Sequence, residues 1–362
     1  MRTITSLIII TALIACNNGP TITLEVKDYD ITEGAHKSIK SEPVDFSTEI
    51  FGVDDIFMCD SLLIFQTTDP SGFLKIYNVN NHKKYNLCTK GRSSNEFMSA
   101  SSLSGQYYKL NSDLIIPVND GMNNMKEINL TESIRKGRTT IVSISESMET
   151  FNNGMNVILD SNKNKRFCFD NAQRNEIYND EIDLPNYYIT NNGRKTKKIK
   201  VFRNKLNLER EIDAISYHFG CLYKHPSKNI IIQAFQHINY IIYFDVDNNH
   251  YYAIHGSGTI SFDDYIKHES KMDFCFVDAC CNSPDFFIVL LNSQKTPLGQ
   301  TQNSRLLFFD WSGNYIGCAE TDVKINRIAL DSTNRVLYGL RIASETIVSF
   351  DLNDFINGIY EK

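Results

Sequence analysis

From residue 42 onward the chain is written in short apolar runs, each about one strand long and fenced by Asn, Asp, Gly or Ser. Leu62-Leu63-Ile64-Phe65 follows Asp60-Ser61, and Leu74 and Ile76 flank Lys75 before Asn78-Val79-Asn80-Asn81 turns the chain. Similar runs begin at Asp113, Asn156, Asn229, Asp285 and Arg335, and some are followed by a second, as at Tyr240–Phe244 and Arg305–Phe309. Runs this short, rich in β-branched and aromatic residues and bounded by turn formers, specify strands. Helical periodicity is scarce. Ser261-Phe262-Asp263-Asp264 caps a turn or two through Lys267, and nothing longer is expected.

First-strand signals near residues 62, 114, 157, 230, 287 and 336 mark six units of roughly 40–50 residues, some carrying insertions. The widest gap holds Asn191-Asn192-Gly193-Arg194-Lys195-Thr196-Lys197-Lys198, read as a projecting hairpin or inserted loop. Evenly punctuated strands on this scale predict an all-β propeller of six four-stranded blades. The last unit, Asn326 to Leu352, has room for three strands, so a strand within residues 21–50 is expected to complete its sheet.

The N-terminus adds an address. Arg2 precedes the apolar run Leu7–Ala15, far short of the about 20 residues a membrane-spanning helix needs. It suits a secretory signal segment. Leu13-Ile14-Ala15-Cys16 resembles the lipobox of bacterial lipoproteins, in which the cysteine is acylated and becomes the first mature residue. The expected organisation is a signal peptide at 1–15, a lipidated tether with a possible closing strand at 16–41, and the propeller at 42–362. Asn17-Asn18-Gly19-Pro20 has the polar, turn-rich character of a tether and lacks an acidic run, which favours the periplasmic face of the outer membrane over the cell surface.

Three segments carry a wider resemblance. Lys90-Gly91-Arg92-Ser93-Ser94-Asn95-Glu96-Phe97 resembles the Gly-Arg-Gly-Pro-x-Glu-Phe signature after the first blade of TolB-like six-bladed β-propeller lipoproteins, with Ser93-Ser94 where Gly-Pro is usual. Phe309-Asp310-Trp311-Ser312-Gly313-Asn314 is similar to their Phe-Asp-x-x-Gly-x turn in a late blade, and Asn326 through Tyr338 also fits. The resemblance implies a fold and a secretory address, and brings no catalytic residues with it.

Chemistry-bearing residues are numerous but lack reactive spacing. With Cys16 lipidated, eight cysteines remain, none in a Cys-x-x-Cys pair, and several sit inside apolar runs where a thiol packs as a small hydrophobe. Buried thiols are expected, with a Cys59–Cys88 disulfide or a vicinal Cys280–Cys281 bond as the lesser readings. Asp245-Val246-Asp247-Asn248-Asn249 imitates the start of a calcium loop, but His250 stands at the sixth position and Gly256 at the twelfth, so hairpin chemistry accounts for it better. The eight histidines show no metal-ligand spacing, and no cofactor is expected. Asp54-Asp55 and Asp263-Asp264 read as solvated loop carboxylates. The basic stretch Arg194 to Lys200, near Tyr187 and Tyr188, reads as a solvated hairpin face whose charge would suit acidic glycans or lipid head groups.

A count of 37 Lys+Arg against 43 Asp+Glu, with a pI near 5.8, gives no electrostatic reason to expect nucleic acid. With no nucleophile elbow or phosphate-cradling loop, the sequence points to a non-catalytic binding or scaffold module for a protein or glycan, held to the membrane by its N-terminal lipid. A glycan hydrolase or lyase with its site in the propeller channel is the first alternative. An accessory subunit of an envelope nutrient-import complex is the second.

Overall fold

A computed structural model of the chain describes residues 24–44, 50–102, 105–121, 124–146, 156–160, 164–170, 186–199, 220, 222–236, 239–257, 276–292 and 303–360. Three strands precede the ring: β1 (Glu25–Tyr29), β2 (Ala35–Ile39) and β3 (Glu42–Pro43). Blade 1 is β4 (Val53–Cys59), β5 (Leu62–Thr67), β6 (Leu74–Asn78) and β7 (Lys84–Leu87). In blade 2 the innermost strand is broken into β8 (Ser101–Ser102) and β9 (Tyr108–Leu110), both pairing with β10 (Asp113–Asn119), and β11 (Asn124–Asn129) and β12 (Ile141–Glu146) follow. Blade 3 holds β13 (Asn156–Ile158), β14 (Lys165–Asp170), β15 (Asn186–Asn191) and β16 (Arg194–Ile199). Blade 4 holds β17 (Leu222–Lys224), β18 (Ile230–Ala234), β19 (Tyr240–Asp245) and β20 (His250–Gly256). Blade 5 holds β21 (Phe276–Cys280), β22 (Phe286–Leu291), β23 (Arg305–Asp310) and β24 (Tyr315–Thr321). Blade 6 has β25 (Arg327–Asp331), β26 (Val336–Arg341) and β27 (Thr346–Asp351). The result is the expected six-bladed β-propeller.

The expected closing strand is β3, which pairs antiparallel with β27 through Val348↔Pro43 and Ser349↔Glu42. The segment before it does more than tether. β1 lies parallel on the outer edge of blade 4, with Glu25 opposite Tyr252, and β2 lies parallel on blade 5, with Ala35 opposite Gly317. The N-terminal chain thus covers the open edges of three successive blades before entering blade 1, removing the unpaired backbone that makes edge strands sticky.

Apolar clusters sit between neighbouring blades. Phe167, Tyr187 and Phe244 join blades 3 and 4, while Phe287, Phe309 and Tyr252 join blades 4 and 5. Second strands face a neighbouring blade on each side, so they are apolar at successive positions instead of alternating. All six residues of β22 and all five of β18 are buried. This corrects the sequence expectation. The runs near 62, 114, 230, 287 and 336 are second strands, and only the run near 157 is a first strand, because its partner β14 begins with Lys165 and Arg166 and carries a weaker apolar signal.

Two short helices escaped the periodicity test: α1 (Leu130–Lys136) and α2 (Asn353–Tyr360). Neither spans enough turns to establish a period. Asn129 caps α1 by accepting the Glu132 N–H at 2.8 Å, and its amide donates to Asp113 Oδ2 at 2.8 Å. Gly137 ends α1 in the left-handed conformation, φ 65°. Asn129→Ala is expected to cost about 1 kcal/mol of stability by urea unfolding. No difference from wild type would show that the cap is dispensable. The Ser261–Lys267 turn lies outside the described residues.

Cys59, Cys88, Cys168, Cys280, Cys281 and Cys318 are all buried free thiols, so neither the Cys59–Cys88 nor the Cys280–Cys281 bond forms. The segment that carries the family resemblance is an inter-blade clasp. Gly91 N–H donates to Phe97 O and Phe97 N–H to Thr89 O, while Ser93 N–H donates to the Glu96 carboxylate at 2.9 Å. Phe97, fully buried, fills the space between blades 1 and 2. A Cβ on Gly91 would meet the Glu96 carboxylate, so a side chain there would push that carboxylate from its place at the Ser93 N–H.

Candidate functional site

The carboxylate pair Asp54-Asp55, read from the sequence as a solvated loop, lies on β4, the innermost strand of blade 1. A β-bulge between Val53 and Asp55 leaves Asp54 exposed as the extra residue and Asp55 opposite Gln66. β21 of blade 5 carries a second bulge, between Phe276 and Asp278, which sets Asp278 opposite Leu290. In blade 6, Arg327 stands opposite Leu340. Gln66, Leu290 and Leu340 are each the fifth residue of their blade's second strand, so Asp55, Asp278 and Arg327 share one level of the channel. That level lies toward the end of the blades where second strands turn into third strands. Residues some 270 positions apart reach it because equivalent register positions of a propeller face one axis. No local spacing in the sequence carries that information.

The three groups interact. Arg327 Nε stands 3.5 Å from Asp55 Oδ1, Tyr223 of β17 donates its hydroxyl to Asp278 Oδ1 at 2.6 Å, and Ile328 N–H donates to Asp278 Oδ2 at 2.7 Å. These contacts join blades 6 and 1, 4 and 5, and 5 and 6. The remaining junctions are bridged in kind. Ser102 N–H donates to Gln66 Oε1 at 2.8 Å, Ile158 N–H to Gln106 Oε1 at 3.1 Å, and the Tyr187 hydroxyl to Gln233 Oε1. Every blade junction is therefore crossed by a side-chain hydrogen bond or ion pair, which fixes blade orientation more narrowly than apolar packing does.

Burial raises the Asp55 carboxyl to about 7, reinforced by the nearby Asp278 charge and opposed by Arg327. Asp278 is raised to about 6, again by burial first, against Arg327 and the Tyr223 hydrogen bond. Asp54 is raised as well, by burial, although Gln66 Nε2 donates to it at 3.2 Å. Asp55 keeps 30% of its side chain accessible and Arg327 31%, so both are open to solvent from the channel. Both carboxyls therefore keep a proton to higher pH than a solvated aspartate does, on the channel level that also holds the Arg327 guanidinium.

Other candidate residues have structural roles. Asp245 accepts from Asn248 through backbone and side chain, closing the β19–β20 hairpin, and Asp310 does the same for Asn314 after β23. Trp311 is buried, donates to Ser283 O at 3.0 Å and packs against His225, 4.5 Å between ring centroids. The His225 imidazole is pushed down to about 4, by burial first and then by Lys228 and Lys224, and its Nδ1 accepts the Ser227 N–H at 3.0 Å. Arg194 to Lys198 form the outermost strand of blade 3, not an insertion. Cys16, Asp263 and Asp264 lie outside the described residues. Among the described residues no group of three or more His, Cys, Asp or Glu is placed to hold a metal ion, and no helix is long and apolar enough to cross a membrane.

No family model and no curated protein matches the chain. Solved structures do. A "Putative exported protein" of Bacteroides fragilis superposes with a TM-score of 0.53 at 10% identity, over 90% of this chain and 98% of its own. A duf4221-family member from Bacteroides vulgatus gives 0.49 at 12% identity, over 88% and 97%. Raptor of Chaetomium thermophilum gives 0.46 at 8% identity, over 87% of this chain and 29% of its own. At such identities the first superposition establishes a shared propeller fold.

Proposed function

We propose that this chain is an exported, lipid-anchored propeller of the TolB-like kind that binds a hydroxyl-rich ligand, a glycan or the polar face of a protein, at its channel mouth. The observation that carries this reading is the Asp54, Asp55, Asp278 and Arg327 group. It offers carboxyls of raised proton affinity and a guanidinium at one level of the channel. Hydroxyls are recognised by such mixed donors and acceptors. The anchor is Cys16, and the structural neighbour named as exported agrees with that address.

Crosslinked purification from the native envelope, paired with a glycan array, tests the binding. Asp54→Asn leaves the ring contacts intact and is expected to weaken capture at least about ten-fold, the scale of one lost charged hydrogen bond. Capture unchanged in both Asp54→Asn and Asp55→Asn would remove the channel mouth from consideration. For the anchor, Cys16→Ser is expected to move the protein from the membrane to the soluble fraction, with mass spectrometry of the native chain reporting the acyl groups. A chain that stays in the membrane with Ser at 16 refutes that assignment.

The raised Asp55 and Asp278 carboxyls favour a second reading, glycan hydrolysis or lysis with one acid acting as proton donor. Turnover of a glycan by the wild type, abolished in Asp55→Asn, would establish it. The importer-subunit reading calls for a contiguous apolar face. Among the described residues, large exposed apolar side chains are instead spread over blades 1, 2, 4 and 6, with Val142 and Ile144 two residues apart on β12.

A further inference from the structure

The basic strand β16 and the entry point of the chain meet at one place. β1 starts with Glu25 opposite Tyr252, so Leu24 arrives beside the β19–β20 hairpin, and its side chain packs on the apolar cluster between blades 3 and 4. From the neighbouring blade, Lys197 of β16 donates to Tyr251 Oη at 2.9 Å and to Asn249 Oδ1 of that same hairpin. Around it stand Arg194 and Lys195, both exposed, and Lys198, Lys165 and Arg166, all partly exposed. Lys195 lies 4.0 Å from the Tyr188 ring centroid, and Lys165 stands 4.0 Å from Asp247 while its backbone N–H donates to Asp160 Oδ1 at 3.0 Å. In a protein of net charge −6, six cations stand on two strands of one blade, β14 and β16, which flank β15.

Chain length decides what they face. Leu24 is eight Cα–Cα steps from Cys16, a span of at most about 28 Å when fully extended. A lipid on Cys16 therefore holds the bilayer within that distance of Leu24, beside the hairpin that Lys197 of β16 contacts, and the Asp55 level lies toward the opposite ends of the blades. We propose that β16 with Lys165 and Arg166 is a membrane-contact surface for anionic, phosphate-bearing lipid head groups. Together with the Cys16 lipid it orients the propeller so that its channel mouth points away from the bilayer. The proposal rests on the tether assigned above. Each Lys or Arg near an anionic surface adds attraction that fades within a Debye length, so three charge reversals have a measurable effect.

The test uses residues 16–362 with Cys16→Ser, which retain every described strand and helix but carry no lipid. Co-sedimentation with phosphatidylcholine vesicles containing phosphatidylglycerol is compared with phosphatidylcholine alone. The expected result is binding to the anionic vesicles only. The triple variant Arg194→Glu, Lys195→Glu and Lys198→Glu is expected to bind them at least about ten-fold more weakly, while the control Lys83→Glu, Lys84→Glu on blade 1 binds as before. Equal melting temperatures confirm that the surface changes leave the fold alone. Absence of anionic-selective binding, or equal losses in the triple variant and the control, overturns the proposal. The tether is judged separately, by acylation of Cys16 in the native chain, so the two failures are distinguishable.

Discussion

Lys126→Met is expected to lower the unfolding free energy by about 3–5 kcal/mol, the range found when one partner of a buried ion pair is removed. Lys126, on β11, has 7% of its side chain accessible and lies 3.0 Å from Asp120, which has 4%. Its ammonium also donates to Glu96 O at 2.5 Å and sits 4.6 Å from the Phe97 ring centroid. One buried charge thus ties the loop between β10 and β11 to the clasp at 89–97, across the junction of blades 1 and 2. Methionine has a similar volume and removes every one of those contacts, leaving Asp120 in the interior without its counter-charge. The double variant Lys126→Met, Asp120→Asn is expected to recover most of the loss, because a neutral amide costs far less to bury than a carboxylate. Urea unfolding of the three variants provides the measurement. A single-variant loss below about 1 kcal/mol, of the size of exposed ion pairs, would show that the pair is solvated in solution. Blade 1 repeats the device with Lys75 and Asp69, 2.5 Å apart and equally buried, so Lys75→Met should behave alike.

These pairs show where sequence legibility ends. Strand content, blade number and the closing strand were readable because each is written locally, in apolar runs and turn residues. Buried thiols were readable for the same reason, since Phe167-Cys168-Phe169 advertises its environment. Lys75 and Lys126 were not. A lone lysine between apolar residues reads as the polar side of an alternating strand, and only the fold shows that a loop aspartate six residues before it is buried beside it. The channel group was hidden more deeply. Asp54-Asp55 looks like any acidic turn, and its meaning depends on β-bulges that sequence alternation does not announce. The blade register was misassigned for a physical reason too, since the strongest apolar signal belongs to the most enclosed strand, which is the second.

Stability and binding should respond with opposite signs at Asp55. A carboxyl raised in the folded state holds its proton more tightly there than in the unfolded chain. Between the unfolded value, near 4, and about 7, unfolding releases that proton, so stability falls as pH rises through this window. Asp278, raised to about 6, adds a loss over the lower part of the same range. Asp55→Asn removes the titration, and its stability profile should be flatter than that of the wild type. Relative to their difference at pH 4, the variant should gain about 2 kcal/mol on the wild type by pH 8, a figure discounted from the full shift because the side chain is partly open to solvent. Ligand capture by the same variant should drop, since the group that offers the proton and the negative charge has become a fixed amide. A residue whose neutral replacement stabilises the fold while weakening binding is held for its ligand and not for its blade. Thermal melts from pH 4 to pH 8 on wild type and variant decide the first half. Parallel profiles would mean that Asp55 titrates as an ordinary surface carboxylate, and the channel level would then be a blade junction with no special chemistry.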